Sequence, residues 1–176
     1  ALMLAPVALA IVLGYSYTKR FTVLSHAILG LALAIAPVGA WVAVRAEIGF
    51  PSLILAASVL AWTAGFDIIY SLQDTGFDKE HGLYSLPASI GEANALAVSR
   101  VLHALMVALL VWFGKAANLG LIYMFAVSLV ALFLVWEHSL VSPRDKSRVN
   151  TAFFTLNGIV SVSLFVLTLV DVLVIL

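Results

Sequence analysis

The sequence predicts an all-α integral membrane protein, one bundle of about six transmembrane helices forming a single domain, and three observations predict it. Of the 176 residues, 64% are hydrophobic and only 10% charged, and the mean hydropathy is +1.15, far from the composition of a soluble domain. Uncharged stretches of roughly 17–25 residues, long enough as helix to cross about 30 Å of hydrocarbon, recur along the chain. Nowhere does the period-two alternation of a membrane strand appear, and lipid-exposed backbone must satisfy its own hydrogen bonds.

The expected spans are residues 1–18, 21–44, 48–72, 92–114, 116–141 and 149–174. The first is closed by Lys19-Arg20 and has no basic segment ahead of it, so it reads as a membrane helix meeting its cytoplasmic end rather than a secretory signal. With no initiating Met, it reads as N-terminally truncated. The second holds Gly30, Pro37 and Gly39, which with Gly14 of the first permit close packing or a kink; Arg45 and Glu47 end it. The third runs into the longest polar connection, residues 71–91. Only Arg100 interrupts the fourth. Lys115 and Asn118 separate it from the fifth, and the polar segment 142–148 precedes the sixth.

Alternating these connections between two sides places Lys19, Arg20, Lys79, Arg144, Lys146 and Arg148 on one face, against Arg45 and Lys115 on the other. The positive-inside rule makes the first face cytoplasmic, with both chain ends outside. Formal net charge is zero, so nothing in the balance points to nucleic acid. The chain has no cysteine, which excludes disulfides, thiolate metal sites and a cysteine nucleophile.

The chemistry concentrates where the third span leaves the membrane. Asp67, Tyr70, Asp74 and Asp78 are spaced i, i+3, i+7 and i+11, which on a continuing 3.6-residue helix lines them along one face. Asp74 and Asp78 are then neighbours one turn apart, and two like charges repel unless a cation lies between them. Carboxylate oxygens select a hard ion, and Mg²⁺ is usually held by one or two carboxylates plus substrate phosphates. The bland alternative is a solvated acidic loop. Asp67 lies roughly 10 Å deeper than Asp74 at 1.5 Å per residue, where an ionisable group faces a cavity or a partner. Its structural alternative is a pairing with Arg100 on the next span.

The pattern D-x-x-Y-x-x-x-D-x-x-x-D from Asp67 to Asp78, followed by Gly82-Leu83-Tyr84-Ser85-Leu86-Pro87, resembles the second aspartate-rich motif of UbiA-type prenyltransferases, particularly the 4-hydroxybenzoate polyprenyltransferases. Tyr15-Ser16-Tyr17-Thr18-Lys19 is similar to the family's Y-x-x-x-K element. Glu137-His138-Ser139-Leu140-Val141 and Ser147-Arg148-Val149-Asn150 are similar to the same branch. The resemblance implies part of a nine-helix fold and a Mg²⁺-dependent transfer of a polyprenyl group from its diphosphate to an aromatic acid in quinone biosynthesis. It implies a bacterial cytoplasmic membrane with the site facing the cytoplasm. A first motif of the form N-D-x-x-D would belong on spans preceding Ala1, so this chain holds half of the metal cage.

On that resemblance Asp74 and Asp78 are the metal ligands. Lys19 is a direct ammonium contact to diphosphate, with Tyr15 and Tyr70 as further diphosphate ligands, and Asp67 and Tyr70 line the cavity above the metal. Read without the family, Lys19 is also an ordinary positive-inside anchor. Trp62, Phe66 and Tyr15 are aromatic candidates for steadying a cation, although aromatics also serve as filler and interface anchors. His26, His103 and His138 stand singly and read as packing or capping residues, while His81 lies nearest the site. Topology accounts for Arg144, Lys146 and Arg148. Two further readings compete: an ion-coupled transporter using Asp67, Arg100, Glu137 and Asp171 within the membrane, and a non-catalytic fragment or subunit. The transporter does not need aspartates in cytoplasmic register and predicts indifference to isoprenyl diphosphates.

Overall fold

A computed structural model describes residues 5–175, and most of them are helical. The helices are α1 (Ala5–Thr18), α2 (Ser25–Arg45), α3 (Phe50–Ser71), two short helices α4 (Thr75–Glu80) and α5 (Leu86–Ile90), α6 (Glu92–Ala116), α7 (Leu121–Leu140) and α8 (Asn157–Ile175). A π-helical stretch, Thr151–Leu156, leads into α8. Apart from one isolated bridge between Ser142 and Asp145, the described residues contain no β-pairing.

Among the described residues five helices are long and apolar enough to cross a membrane: α2, α3, α6, α7 and the continuous Thr151–Val174. The first expected span begins at residues 1–4, which with Leu176 lie outside the described residues; α1 is described over 14 residues. Leu13, Val44, Leu121, Val135 and Phe165 point outward, as lipid-facing side chains do in an integral membrane bundle.

Neighbours in sequence are neighbours in space, from α1 through α2, α3, α6, α7 and α8, and α3 packs most extensively, against α2 and α6. Close approach explains two of its glycine contacts. A Cβ on Gly30 would lie 2.6 Å from the Leu60 carbonyl oxygen, so α2 and α3 touch backbone to backbone. A Cβ on Gly65 would lie 2.3 Å from His103 Cδ2, and Ser99 Oγ donates to the Gly65 carbonyl at 2.7 Å. Gly14 and Gly39 meet nothing, and α2 continues through Pro37, so those positions do not mark contacts. The core of the bundle is Ala61, Met106, Leu110, Tyr123, Val127 and Val130. A second cluster, Ile69, Leu72, Leu96, Val141, Val149 and Ala152, sits under the end where α3 stops.

The opposite end is closed by Asp171. Its carboxylate, on a residue 2% exposed, accepts from the backbone N–H of Gly120 at 2.6 Å, Ile122 at 3.0 Å and Tyr123 at 3.1 Å. These are the orphan donors of the first turn of α7, and no side chain of that helix caps them. The intramembrane carboxylate invoked for a transporter is thus an interhelical cap. Asp171→Ala strands these donors and is expected to cost about 3 kcal/mol, read as a lowered thermal midpoint in detergent. An unchanged midpoint would show the cap to be dispensable.

At the α3 end, the segment after α7 folds back as a turn in which Ser147 donates to Asp145 Oδ1 through its hydroxyl at 2.7 Å and its N–H at 3.0 Å. These bonds, the hydroxyl first, hold the Asp145 carboxyl below the usual carboxylate range. The turn presents Lys146, whose ammonium reaches Glu92 at 2.5 Å and the Leu72 carbonyl at 3.2 Å.

Candidate active site

Helix α3 stops at Ser71, and the Leu72 carbonyl just beyond it is taken by side chains. In a continuing helix the Leu72 oxygen would accept from Gly76. Here it accepts from Thr75 Oγ1 at 3.0 Å and from Lys146 Nζ at 3.2 Å. The last turn tightens through i to i−3 bonds, from Gln73 N–H to the Tyr70 oxygen at 3.2 Å and from Asp74 N–H to the Ser71 oxygen at 3.1 Å. Asp74 then stands before α4, whose first bond runs from Asp78 N–H to the Asp74 oxygen at 2.8 Å. The uninterrupted helical face expected across Asp67, Tyr70, Asp74 and Asp78 is therefore broken after the second of them.

The break still produces a cavity. About 270 Å³ in volume, it is lined by Tyr15, Lys19, Ser25, Asp67, Tyr70, Ser71 and Asp74. Five of the six residues expected from sequence line it, drawn from α1, the turn after it, α3 and the turn after that. Asp74 is exposed. Asp78 is the sixth and is absent from the lining. It is 1% exposed, turned under Lys19 with Oδ2 3.7 Å from Nζ, and that oxygen has no hydrogen bond. The Asp74–Asp78 pair expected to share an ion is thus divided, one carboxylate in the cavity and one behind the lysine. Lys19 lines the cavity and pairs with Asp78, a third of its side chain exposed.

Tyr70 belongs to an aromatic wall that continues from the polar cavity down α3. Its ring lies 4.3 Å from that of Phe153; Phe153 meets Phe66 at 5.3 Å, and Phe66 meets Trp62 at 5.5 Å. Trp62, Phe66, Phe153 and Phe154 line a second, apolar cavity of about 410 Å³ with Leu33, Val59 and Gly158. Asn157 Oδ1 accepts from Trp62 Nε1 at 3.0 Å and fixes the indole. Phe153 and Phe154 were missed by sequence reasoning. The available signal was a pair of aromatics just after Asn150, indistinguishable from membrane filler.

The histidines are not single. His26 Nδ1 lies 2.6 Å from Asp67 Oδ2, so Asp67 takes its partner from the preceding span and not from Arg100. His103 Nδ1 and His138 Nε2 are 3.0 Å apart, with Glu137 Oε2 3.8 Å from His103. Arg100 lines a separate groove with these two histidines, between α6 and α7. His81 stacks on Phe77 at 4.0 Å, beside a third cavity that Lys19 and Arg20 also line.

Among the described residues no three His, Asp or Glu side chains converge on a common metal position. The donor set nonetheless suits a hard divalent ion held jointly with substrate: Asp67 and Asp74 offer carboxylate oxygens to the cavity, and Mg²⁺ commonly needs only one or two such ligands beside phosphate oxygens.

A UbiA homolog from Aeropyrum pernix K1, solved in its apo form, superposes with a TM-score of 0.84 at 35% identity, covering 97% of this chain and 64% of that one. The 4-hydroxybenzoate octaprenyltransferase of Chromohalobacter salexigens is 28% identical over 151 residues, which are 86% of this chain and 50% of that protein. That of Xanthomonas euvesicatoria is 30% identical over 152 residues, again 86% and 50%. The chain spans about half the length of the curated relatives it matches. The family model for UbiA prenyltransferases matches residues 1–159, and with the fold and the aspartate-bearing cavity in agreement, the chain belongs to the UbiA prenyltransferase family.

Proposed function

We propose that the chain is the part of a membrane aromatic prenyltransferase that grips an isoprenyl diphosphate, transferring its polyprenyl group to a 4-hydroxybenzoate-like acid in quinone biosynthesis. The observation that carries the reading is a pair of unlike cavities linked by one ring contact, Tyr70 of the polar one lying 4.3 Å from Phe153 of the apolar one. On one side lie an ammonium and carboxylates, Lys19, Asp67 and Asp74. On the other lies an apolar groove walled by Trp62, Phe66 and Phe153. A diphosphate ester with a hydrocarbon tail has the same division. The names of the relatives supply the acceptor class.

In the reaction the bond between the allylic carbon and the diphosphate oxygen breaks, and its electron pair leaves with the diphosphate. The aromatic ring attacks the resulting cation and then loses a ring proton. Lys19 neutralises leaving-group charge and the Tyr70 hydroxyl donates to a diphosphate oxygen. Mg²⁺, when bound, would supply Lewis-acid charge at the same oxygens, held through Asp74 and substrate phosphate, while Asp78 fixes the lysine from behind. The rings of Tyr70, Phe153 and Phe66 face the nascent cation and exclude water. Each is worth roughly 0.5–2 kcal/mol. Tyr70→Leu is therefore expected to lower kcat by up to about 30-fold, whereas Tyr70→Phe keeps the ring and loses less. Equal losses in the two variants would place the contribution in the hydroxyl alone.

The site faces the cytoplasm of a bacterial membrane in this reading, the side that holds Lys19, Lys79 and Arg144. The test is product formation by the protein at its full natural length in membranes, with Mg²⁺, labelled isoprenyl diphosphates of several lengths, and both 4-hydroxybenzoate and a menaquinone-pathway acceptor. Absence of prenylated product with every pair would sink the proposal.

A further inference from the structure

We propose that His26 is the positioning residue for Asp67 and that its ring proton resides on Nδ1. What Asp67 does rests on the prenyltransferase reading; what His26 is rests on geometry. His26 sits in the first turn of α2 and is 3% exposed. Its two nitrogens meet different partners: Nδ1 lies 2.6 Å from Asp67 Oδ2, and Nε2 lies 3.2 Å from the backbone nitrogen of Leu86. A backbone N–H can only donate. Nε2 must therefore present its lone pair to Leu86, which leaves the single ring proton on Nδ1, directed at the carboxylate.

The consequence is a fixed carboxylate. With Oδ2 anchored, the Asp67 oxygen left for the cavity is Oδ1, which has no hydrogen-bond partner among the described residues. The imidazole also ties two pieces of the motif together. Leu86 opens α5, at the end of the segment that follows the aspartates, and Tyr84 in that segment donates its N–H to the Lys19 carbonyl at 2.7 Å. The segment thus closes on the α1–α2 turn at two points, beside Lys19 and through His26. An imidazole that only held α5 in place would need Nε2 alone; the short bond at Nδ1 gives it a second task, the one facing the cavity.

Two near-isosteric variants separate these tasks in the protein at its full natural length. The amide nitrogen of His26→Asn occupies the place of Nδ1 and keeps the donor to Asp67 while losing Leu86. The amide oxygen of His26→Gln occupies the place of Nε2 and keeps Leu86 while losing Asp67. Positioning through Asp67 predicts that His26→Gln lowers kcat roughly ten- to hundredfold, with an unchanged detergent elution profile, and that His26→Asn stays closer to wild type. A Gln variant as active as the Asn variant, or more so, overturns the proposal. A readout independent of turnover is ¹⁵N NMR of histidine-labelled protein, in which His26 is expected to show a protonated Nδ1 and a bare Nε2. The opposite tautomer, or an imidazolium, also overturns it. A wild-type protein without prenyl transfer would reject the functional reading and not the proton's position, which the NMR decides by itself.

Discussion

Lys19→Met is expected to lower kcat/KM for the isoprenyl diphosphate by roughly 10²–10³-fold, the usual loss when one group aimed at developing negative charge is removed. Lys19 lines the polar cavity, and its ammonium is the cation nearest the space that diphosphate would fill. The variant also has a structural consequence. Asp78 is 1% exposed and its Oδ2 has no hydrogen bond, so without the ammonium 3.7 Å away a buried carboxylate loses its counter-charge, which is destabilising. Activity lost by misfolding and activity lost by chemistry would then look alike. The double variant Lys19→Met with Asp78→Asn separates them, since it removes the stranded charge together with the lysine. Its thermal midpoint should recover while turnover stays low. If turnover recovers as well, Lys19 is an anchor for Asp78 and not a ligand for substrate.

The same lysine illustrates what was legible in the sequence. Hydrocarbon imposes length and polarity on every span, so helices fall where apolar runs fall, and departures cluster at ends where local geometry decides. Residues 117–120, expected inside the fifth span, form a turn with Asn118 at φ 55°, because Asp171 on α8 caps α7 from Gly120 onward. The sixth begins as a π-helical stretch, Thr151–Leu156, which sets Phe153 against Tyr70. Nothing in the apolar period announces it.

At the site, five of the expected residues line one cavity and Asp78 lies outside its lining. Tyr15 and Lys19 reach the cavity because α1 ends beside it, and Asp67 and Tyr70 because they share a helical face. Asp78 fails the extrapolation because α3 stops, and one of the two groups on the Leu72 carbonyl beyond it, Lys146, comes from the far side of the sequence. Long-range partners account for the other misses. His26 and Asp67 are separated by 41 positions, and a lone histidine in an apolar stretch carries no mark of the carboxylate it will meet. Arg100 was the partner visible by charge, and the nearer helix provided another.

Asp74→Ala is expected to remove activity more completely than any other single change, by roughly 10³-fold if the Lewis-acid contribution of several kcal/mol depends on that carboxylate. Asp74 is exposed, makes no side-chain cap to α4 and lines the cavity, so its removal should leave the thermal midpoint in place. Asp78→Asn should behave in the opposite way. It breaks the pairing with Lys19 inside a buried setting, lowering stability and raising the KM for isoprenyl diphosphate, while the Mg²⁺ concentration for half-maximal rate moves little. Titrating Mg²⁺ back into chelator-treated protein reads the two variants on one axis. Should both aspartates shift that midpoint equally, Asp78 must leave Lys19 and swing to the ion when substrate binds, and the division of labour between an open carboxylate and a buried one would be wrong.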